Sequence, residues 1–121
     1  MDVFVRAYNH GSGAWEPSVR IRDNNFTNYH NYPTIIRAPN GRLIVFYFNH
    51  AVSLFQLTSP TADSASGTWS HRNITPSGAR PGYPTPVVAG NDIYLFYRQM
   101  VGTTYYRLNF IRSSDSGATW G

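Results

Sequence analysis

The chain has 121 residues, of which 41% are hydrophobic and 16% aromatic, so it can bury a core and is not a disordered tail. Its net charge is +4 and all ten basic residues are Arg, but they are spread along the chain rather than clustered, which disfavours nucleic acid as a partner. The absence of Cys excludes disulfides and thiolate metal sites, and no apolar run reaches the length of a membrane span.

The first segment predicts two short strands and a polar loop. Residues 3–8 are apolar and β-rich, and residues 9–13 are turn formers. A second strand is predicted at residues 15–21, and residues 23–31 form an Asn-rich loop that contains His30. His10 and His71 are interpreted as a turn residue and a surface residue, without a functional role.

The next segment is predicted to form a complete unit of four antiparallel strands, and a second unit of the same kind follows it. The predicted strands of the complete unit are residues 34–37, 42–49, 52–57 and 69–74. The second unit has predicted strands at residues 86–89, 93–99 and 104–112, followed by a turn at 113–117. No helical periodicity occurs, so the fold class is all-β.

Equivalent residues recur at a spacing of about 50 residues. Tyr32 and Tyr83 are 51 residues apart, and Trp69 and Trp120 repeat that spacing. Trp15 marks the same point in the preceding unit. Four short strands in about 50 residues are typical of one blade of a β-propeller.

The number of predicted strands indicates that the chain forms only part of a propeller. Residues 1–31 are the end of one blade, 32–82 a whole blade and 83–121 most of the next, about two and a half blades in all. The second strands, 43–48 and 93–97, are continuously apolar, as expected of strands covered on both faces. Because closure needs about four to eight blades, we expect the remainder to come from a longer chain or from self-association.

A Ser-x-Asp-x-Gly-x-Thr-Trp motif closes the last unit, and it matches an Asp-box. Its residues are Ser113, Asp115, Gly117, Thr119 and Trp120. The Asp side chain is predicted to cap a turn, the Gly to adopt unusual backbone angles, and the Trp to fill the space between sheets. We interpret the motif as architectural.

Further segments carry a resemblance to a known family. They are residues 4–8, Trp15, and residues 28–34, 41–50, 83–86 and 94–98. Together with the Asp-box, they resemble the BNR-repeat propellers of the sialidase superfamily, in the branch that includes seven-bladed ulvan lyases and related polysaccharide lyases. The resemblance implies seven blades in the full protein and a secreted or cell-surface location.

The same resemblance implies four site residues. His30, Tyr83 and His50 match catalytic residues of the lyases, and Arg98 matches the Arg that faces the uronate carboxylate. The implied reaction is β-elimination in an acidic, uronate-containing polysaccharide such as ulvan. It requires no metal and no organic cofactor, and neither nucleic acid nor a membrane is expected as a partner.

The repeat gives an independent reason to group these residues. It aligns Tyr83 with Tyr32, two residues after His30, so both residues precede the first strand of a blade. It also aligns Arg98 with a position two residues before His50, hence on the same strand face. Because the first two strands of a blade are antiparallel, all four predicted site residues converge on one rim.

These residue types suit the chemistry of β-elimination. Arg98 can neutralise the carboxylate with a bidentate fork, a neutral His30 can remove a proton, and the Tyr83 phenol can supply one. The assignment of base and acid between His30 and Tyr83 stays open, and His50 orients or assists. The alternatives are a sialidase-like glycoside hydrolase and a non-catalytic glycan-binding propeller. The hydrolase predicts a carboxylate pair or a cluster of Arg facing one carboxylate, and none of the six acids pairs in a convincing site.

Overall fold

A computed structural model describes residues 2–23, 32–103 and 105–121, with the backbone alone for residue 105. Within these ranges all regular secondary structure is β-strand. The strands are β1 (Val3–Val5), β2 (Tyr8–Asn9), β3 (Ala14–Trp15), β4 (Val19–Arg22), β5 (Thr34–Arg37), β6 (Arg42–Asn49), β7 (Ser53–Ala62), β8 (Ser70–Asn73), β9 (Pro81–Ala89), β10 (Asp92–Val101) and β11 (Tyr105–Ser113). None of the described residues forms a helix that could cross a membrane.

The strands form four antiparallel sheets. The order β5-β6-β7-β8 is a whole four-stranded blade, and β11-β10-β9 is the inner part of the next blade. Two small sheets, β1-β4 and β2-β3, precede them. The two large sheets are in contact through their first strands, β5 and β9. The Thr34 hydroxyl of β5 donates a hydrogen bond to the Pro84 carbonyl of β9 over 3.2 Å. This arrangement confirms the predicted all-β propeller fold.

Strand β6 is the most deeply buried element. Its side chains alternate between two apolar clusters, so both of its faces are covered, as its unbroken apolar sequence predicts. The cluster between the two large sheets includes Ile44, Phe46, Phe48, Ile93 and Leu95. The cluster on the other face of β6 includes Val45, Tyr47, Val3, Val5 and Trp69.

Strand β10 is covered on one face only within the described residues. Ile93, Leu95 and Tyr97 are buried against the preceding blade, and the residues between them are partly exposed. On that second face, Leu108 of β11 is 75% exposed. The uncovered face is apolar, which is consistent with the prediction that further blades complete the ring.

Strand β9 is longer than predicted at its beginning. The prolines at positions 81, 84 and 86 favour a loop before residue 86, but the strand begins at Pro81. Since β9 lies at the edge of its sheet, a missing backbone N–H need not interrupt the ladder. The extension brings the segment before Thr85 into contact with β10.

The first segment differs most from its prediction. The predicted strand at residues 3–8 ends at Val5, and β2 pairs with β3 in a separate hairpin. Trp15 in that hairpin is 58% exposed, whereas Trp69 is 7% exposed in the core. Trp69 is covered by Val3 and Val5 of the preceding sheet, whereas no sheet of the described residues precedes the hairpin that holds Trp15. The expectation that Trp15 occupies the same position as Trp69 stays a prediction. His71, interpreted above as a surface residue, is partly buried, and its Nε2 lies 2.7 Å from the hydroxyl of the buried Tyr47.

Candidate functional site

A β-bulge turns Tyr83 out of the regular pattern of β9. Thr85 pairs with Phe96, and Gly82 pairs with Arg98, so two residues of β9 face one residue of β10. Tyr83 has a φ of 55°, in the left-handed region that non-glycine residues seldom adopt. Bulges commonly redirect a side chain beside a functional site. Here the bulge sets the direction of the Tyr83 ring.

The Arg98 guanidinium lies over that ring. Its Cζ is 4.2 Å from the centroid of the Tyr83 ring and 4.0 Å from the centroid of the Tyr106 ring. Both distances are well within the range of a cation–π contact, which is about 6 Å. Among the described residues, Arg98 has no carboxylate within ion-pair distance.

His50 meets Arg98 from the neighbouring blade. It lies in the turn after β6, and its Nε2 is 3.2 Å from Nη2 of Arg98. A guanidinium can only donate, so Nε2 is the acceptor and the neutral ring carries its proton on Nδ1. The turn is tied to β9, because the Ala51 N–H donates to the Pro81 carbonyl over 3.0 Å.

The Tyr83 ring packs against three neighbouring aromatic rings. Its ring centroid is 5.4 Å from that of Phe48, 5.8 Å from that of Tyr32 and 6.2 Å from that of His50. The Tyr83 ring is therefore held by packing against the core as well as by its backbone.

The structure thus brings Tyr83, His50 and Arg98 together, whereas His30 lies outside the described residues. Their catalytic roles stay predictions. Sequence reasoning missed Tyr106, which the alternation of β11 places on the same face as Leu108, the cross-strand partner of Arg98. In the described part of the chain, no three His, Asp or Glu side chains are grouped so as to hold a metal ion.

The Asp-box forms a closed hydrogen-bonded turn after β11. The Asp115 carboxylate accepts bonds from the Thr119 hydroxyl (2.6 Å), the Thr119 N–H (2.8 Å) and the Ser113 hydroxyl (2.7 Å). These donors, those of Thr119 first, lower the pKa of Asp115 from 3.8 to about 2. Gly117 has a φ of 85°, and a Cβ on it would lie 2.7 Å from Cδ1 of Ile44.

The Asp-box also joins the two large sheets. The Trp120 indole N–H donates to Oε1 of Gln56 over 2.8 Å, and its ring meets that of Phe46 edge to face at 5.7 Å. Arg72 of β8 donates to the carbonyls of Ala118 and Gly117. The motif therefore links neighbouring blades.

A polar cavity of about 260 Å³ lies beside the Asp-box turn. Two of its lining residues are Arg42 and Arg72. Arg42 donates to the Ser59 carbonyl over 3.1 Å, and Arg72 donates to backbone carbonyls of the turn and to Gln56. Because these guanidinium groups already hold the fold, we place the candidate site at the rim formed by Tyr83, His50 and Arg98.

Comparison with known proteins adds to this geometry. The sequence model of a family described as "BNR repeat-containing family member" matches residues 1–121. No curated protein matches the chain. Among solved structures, the fold is similar to that of a polysaccharide lyase, an ulvan lyase of a new family bound to -[GlcA(1-4)Rha3S]-, with a TM-score of 0.82 and 22% sequence identity. The match covers 99% of this chain and 32% of that one.

Proposed function

Since this chain belongs to the BNR repeat-containing family and has the fold of a carbohydrate-active propeller, we propose that it forms part of a polysaccharide lyase. The substrate is an acidic, uronate-containing glycan of the ulvan type, and the reaction is β-elimination. The observation that carries the proposal is the contact of Arg98 with both Tyr83 and His50 at one rim. The protein acts outside the cell, where such polymers occur, and the remaining blades complete the ring.

Arg98 supplies the first requirement of the reaction, recognition of the uronate carboxylate. A planar guanidinium binds a carboxylate through two parallel hydrogen bonds. No carboxylate of the described residues pairs with it, so its charge is available to a substrate. As the proton next to the carboxylate leaves, negative charge develops on the carboxylate oxygens, and the guanidinium stabilises that charge.

Proton transfer is the second requirement. One group removes the proton from the carbon beside the carboxylate, and the electron pair of that bond forms a carbon–carbon double bond. The bond to the glycosidic oxygen breaks, and a second group gives that oxygen a proton. Tyr83 and His30 are the proposed pair, and the stereochemistry of the sugar decides which is base and which is acid. No water and no redox partner is consumed.

His50 is proposed to assist rather than to transfer the proton through Nε2. That nitrogen accepts a hydrogen bond from Arg98, so its lone pair is engaged. In this arrangement His50 fixes the guanidinium from the side of the neighbouring blade. It contributes to catalysis by orientation of Arg98.

A sialidase-like hydrolase has less support. Most glycoside hydrolases place two carboxyl groups about 5 to 10 Å apart across the scissile bond, whereas sialidases use a Tyr nucleophile and would need a cluster of Arg residues that faces the substrate carboxylate. Of the six acids in the chain, four are paired with Arg residues and a fifth holds the Asp-box turn. A non-catalytic glycan-binding propeller would use the same Arg98 and aromatic rings to bind the glycan. The two functions differ in turnover, because only a lyase releases unsaturated uronate.

The test is an assay of the full-length protein with ulvan and other polyuronides, in which the absorbance of unsaturated uronate is recorded. We expect absorbance to rise with the wild type. The Tyr83→Phe variant removes one hydroxyl and keeps the ring, so its rate should fall about 100- to 10,000-fold. The matched control is Tyr94→Phe, whose ring packs on Phe110 in the same sheet and which should keep the wild-type rate.

Other outcomes would identify the alternatives. New reducing ends without unsaturated uronate would indicate a hydrolase. Glycan binding without turnover, unchanged in Tyr83→Phe, would indicate a binding propeller. Equal rates for Tyr83→Phe and Tyr94→Phe would remove Tyr83 from the mechanism.

A further inference from the structure

The Arg98 guanidinium is flanked by two aromatic rings that come from different strands. Tyr83 belongs to β9 and Tyr106 to β11, the two neighbours of β10 in the sheet. The two ring centroids lie at nearly equal distances from Cζ, 4.2 Å and 4.0 Å. Within the described residues Tyr106 is 46% exposed, and it lies on the face of β11 that also carries Leu108.

Two flanking rings restrict how the guanidinium can tilt. The attraction between a cation and a ring face is strongest when the cation lies over the ring, and a guanidinium also stacks on such a face. Loss of either ring removes one of the two lateral supports. The third contact, from Nη2 to His50, fixes one edge of the group. The N–H groups on the remaining edges are those that can meet a carboxylate.

We propose that Tyr106 is a positioning residue that orients Arg98 toward the carboxylate of a uronate sugar. This inference rests on the proposed lyase function and adds a residue to it. Tyr106 acts through the guanidinium and not by proton transfer. Its role requires the face of the ring and not the hydroxyl group. Misalignment of Arg98 matters most when charge develops on the carboxylate, so Tyr106 should affect kcat more than KM.

The test compares variants of the full-length protein on a polyuronide. In Tyr106→Leu we expect kcat to fall about tenfold with little change in KM, as expected for loss of a partly buried cation–π contact. In Tyr106→Phe the ring remains, and kcat should stay within about twofold of the wild type. The matched control is Phe110→Leu, since Phe110 is a ring on the same strand face that packs on Phe96 and Tyr94 and does not contact Arg98 in the structure.

A double-mutant cycle separates positioning from a structural effect. Lys has a compact ammonium with no plane to orient. Tyr106→Leu should therefore cost little additional activity, less than about twofold, once Arg98→Lys is present. The melting temperatures of Tyr106→Leu and Phe110→Leu should be equal, which would show that the loss of kcat is not a loss of folded protein.

A binding measurement tests the role of Tyr106 independently of catalytic turnover. In the Tyr83→Phe background, titration calorimetry would compare a glucuronate-containing oligosaccharide with its methyl ester. We expect Tyr106→Leu to reduce the preference for the free acid over the ester several-fold.

The result that would overturn the inference is an active wild type in which Tyr106→Leu matches Phe110→Leu, or in which Tyr106→Phe loses as much as Tyr106→Leu. A wild type without lyase activity would overturn the proposed function instead. In that case, preferential binding of the free acid that depends on the Tyr106 ring would keep the orienting role, and equal binding of acid and ester would end it.

Discussion

The Asp-box turn and the rim around Arg98 lie at two ends of the same sheet and use their polar groups differently. In the β10–β11 register, Ser113 pairs with Ile93 at one end, and Leu108 pairs with Arg98 toward the other. At the Asp-box, hydrogen bonds from Ser113 and Thr119 satisfy the charge of Asp115. At the rim, rings and an imidazole hold the charge of Arg98, and no described carboxylate neutralises it.

This difference separates architecture from chemistry within one sheet. A charge that its own turn satisfies contributes to folding and offers nothing to a ligand. A charge that is oriented but not neutralised is available to an anionic ligand. Substitutions at the Asp-box should therefore change stability, and substitutions at the rim should change activity.

The largest expected effect belongs to the rim. Arg98→Gln removes the charge while retaining a polar side chain, and kcat should fall about 100- to 1,000-fold, the usual cost of losing a donor that stabilises developing negative charge. The melting temperature should fall less than in the Asp-box glycine variant below. Arg98→Gln loses two cation–π contacts and the hydrogen bond to His50, but Arg98 has no ion-pair partner among the described residues. Kinetics on a polyuronide and thermal unfolding measure the two quantities.

The control for that prediction is Arg107→Gln. Arg107 pairs with Gln99, one residue beyond Arg98 on β10, so it lies on the other face of the sheet. We expect it to keep wild-type kcat. A variant of Arg98 that unfolds early and keeps its activity per folded molecule would contradict the separation of the two ends.

An intermediate effect is expected at the Asp-box glycine. Gly117→Ala places a Cβ 2.7 Å from Ile44 and 3.3 Å from the Gln56 amide, at a φ of +85°. Overpacking and left-handed backbone strain together should lower the free energy of unfolding by about 2 to 4 kcal/mol. Denaturant unfolding measures this change, and activity per folded molecule should stay unchanged.

Gly90→Ala is the matched control for this variant. Gly90 has a φ of +61° but nothing within 4 Å of a built Cβ, so it carries the backbone strain without the overlap. Its destabilisation should be smaller. Equal losses in the two variants would show that contact with Ile44 does not hold the Asp-box in place.

The smallest expected effect is the pH dependence of the Asp-box. The pKa of Asp115 is lowered to about 2 in the folded protein from 3.8, so the unfolded chain binds more protons between these values. The carboxylate therefore stabilises the fold fully above about pH 4, and this contribution is lost as the pH falls toward 2. Melting temperatures measured from pH 5 to pH 2 should fall more steeply in the wild type than in Asp115→Asn.

A second variant tests the cause of that shift. Thr119→Val removes the hydroxyl that donates to Asp115 over 2.6 Å, and the pKa of Asp115 should rise toward 3.8. An NMR titration of the carboxyl group would show the rise. An unchanged pKa would mean that another donor sets the acidity of Asp115.

Much of the fold could be predicted because local signals agree with the tertiary structure. Strands β5 and β6 were predicted with the bounds observed, since turn residues separate two apolar runs there. Asn40 and Gly41 form that turn: the Asn40 side chain accepts the Arg42 N–H over 3.0 Å, and Gly41 has a φ of 82°. Turn-forming residues such as these determine where the strands end, so the ends can be predicted without information about the neighbouring sheets.

The remaining differences depend on tertiary position. Prolines in β9 disfavour a strand locally, and only the sheet order shows that β9 is an edge that tolerates them. The hairpin that holds Trp15 is a separate β2–β3 pairing, which strands of two residues do not specify locally.

The candidate site was predictable in part for the same reason. The 51-residue repeat indicates that Tyr83 and Arg98 share one rim with His50, and the structure places the three together. The contact of Tyr106 with Arg98 depends on the register between β10 and β11, which is set by pairing and not by composition. The backbone of Tyr83 could not be predicted, because nothing local favours a left-handed Tyr.

The left-handed backbone of Tyr83 has a consequence for directed evolution of this protein. Gly or Asn would adopt a φ of 55° with less strain than Tyr. Either replacement would also lose the packing of the ring on Phe48 and Tyr32, so relief of backbone strain and loss of packing oppose each other in a selection for heat tolerance. Both would remove the phenol on which the proposed chemistry depends, so selection for turnover should retain Tyr here despite its strained backbone.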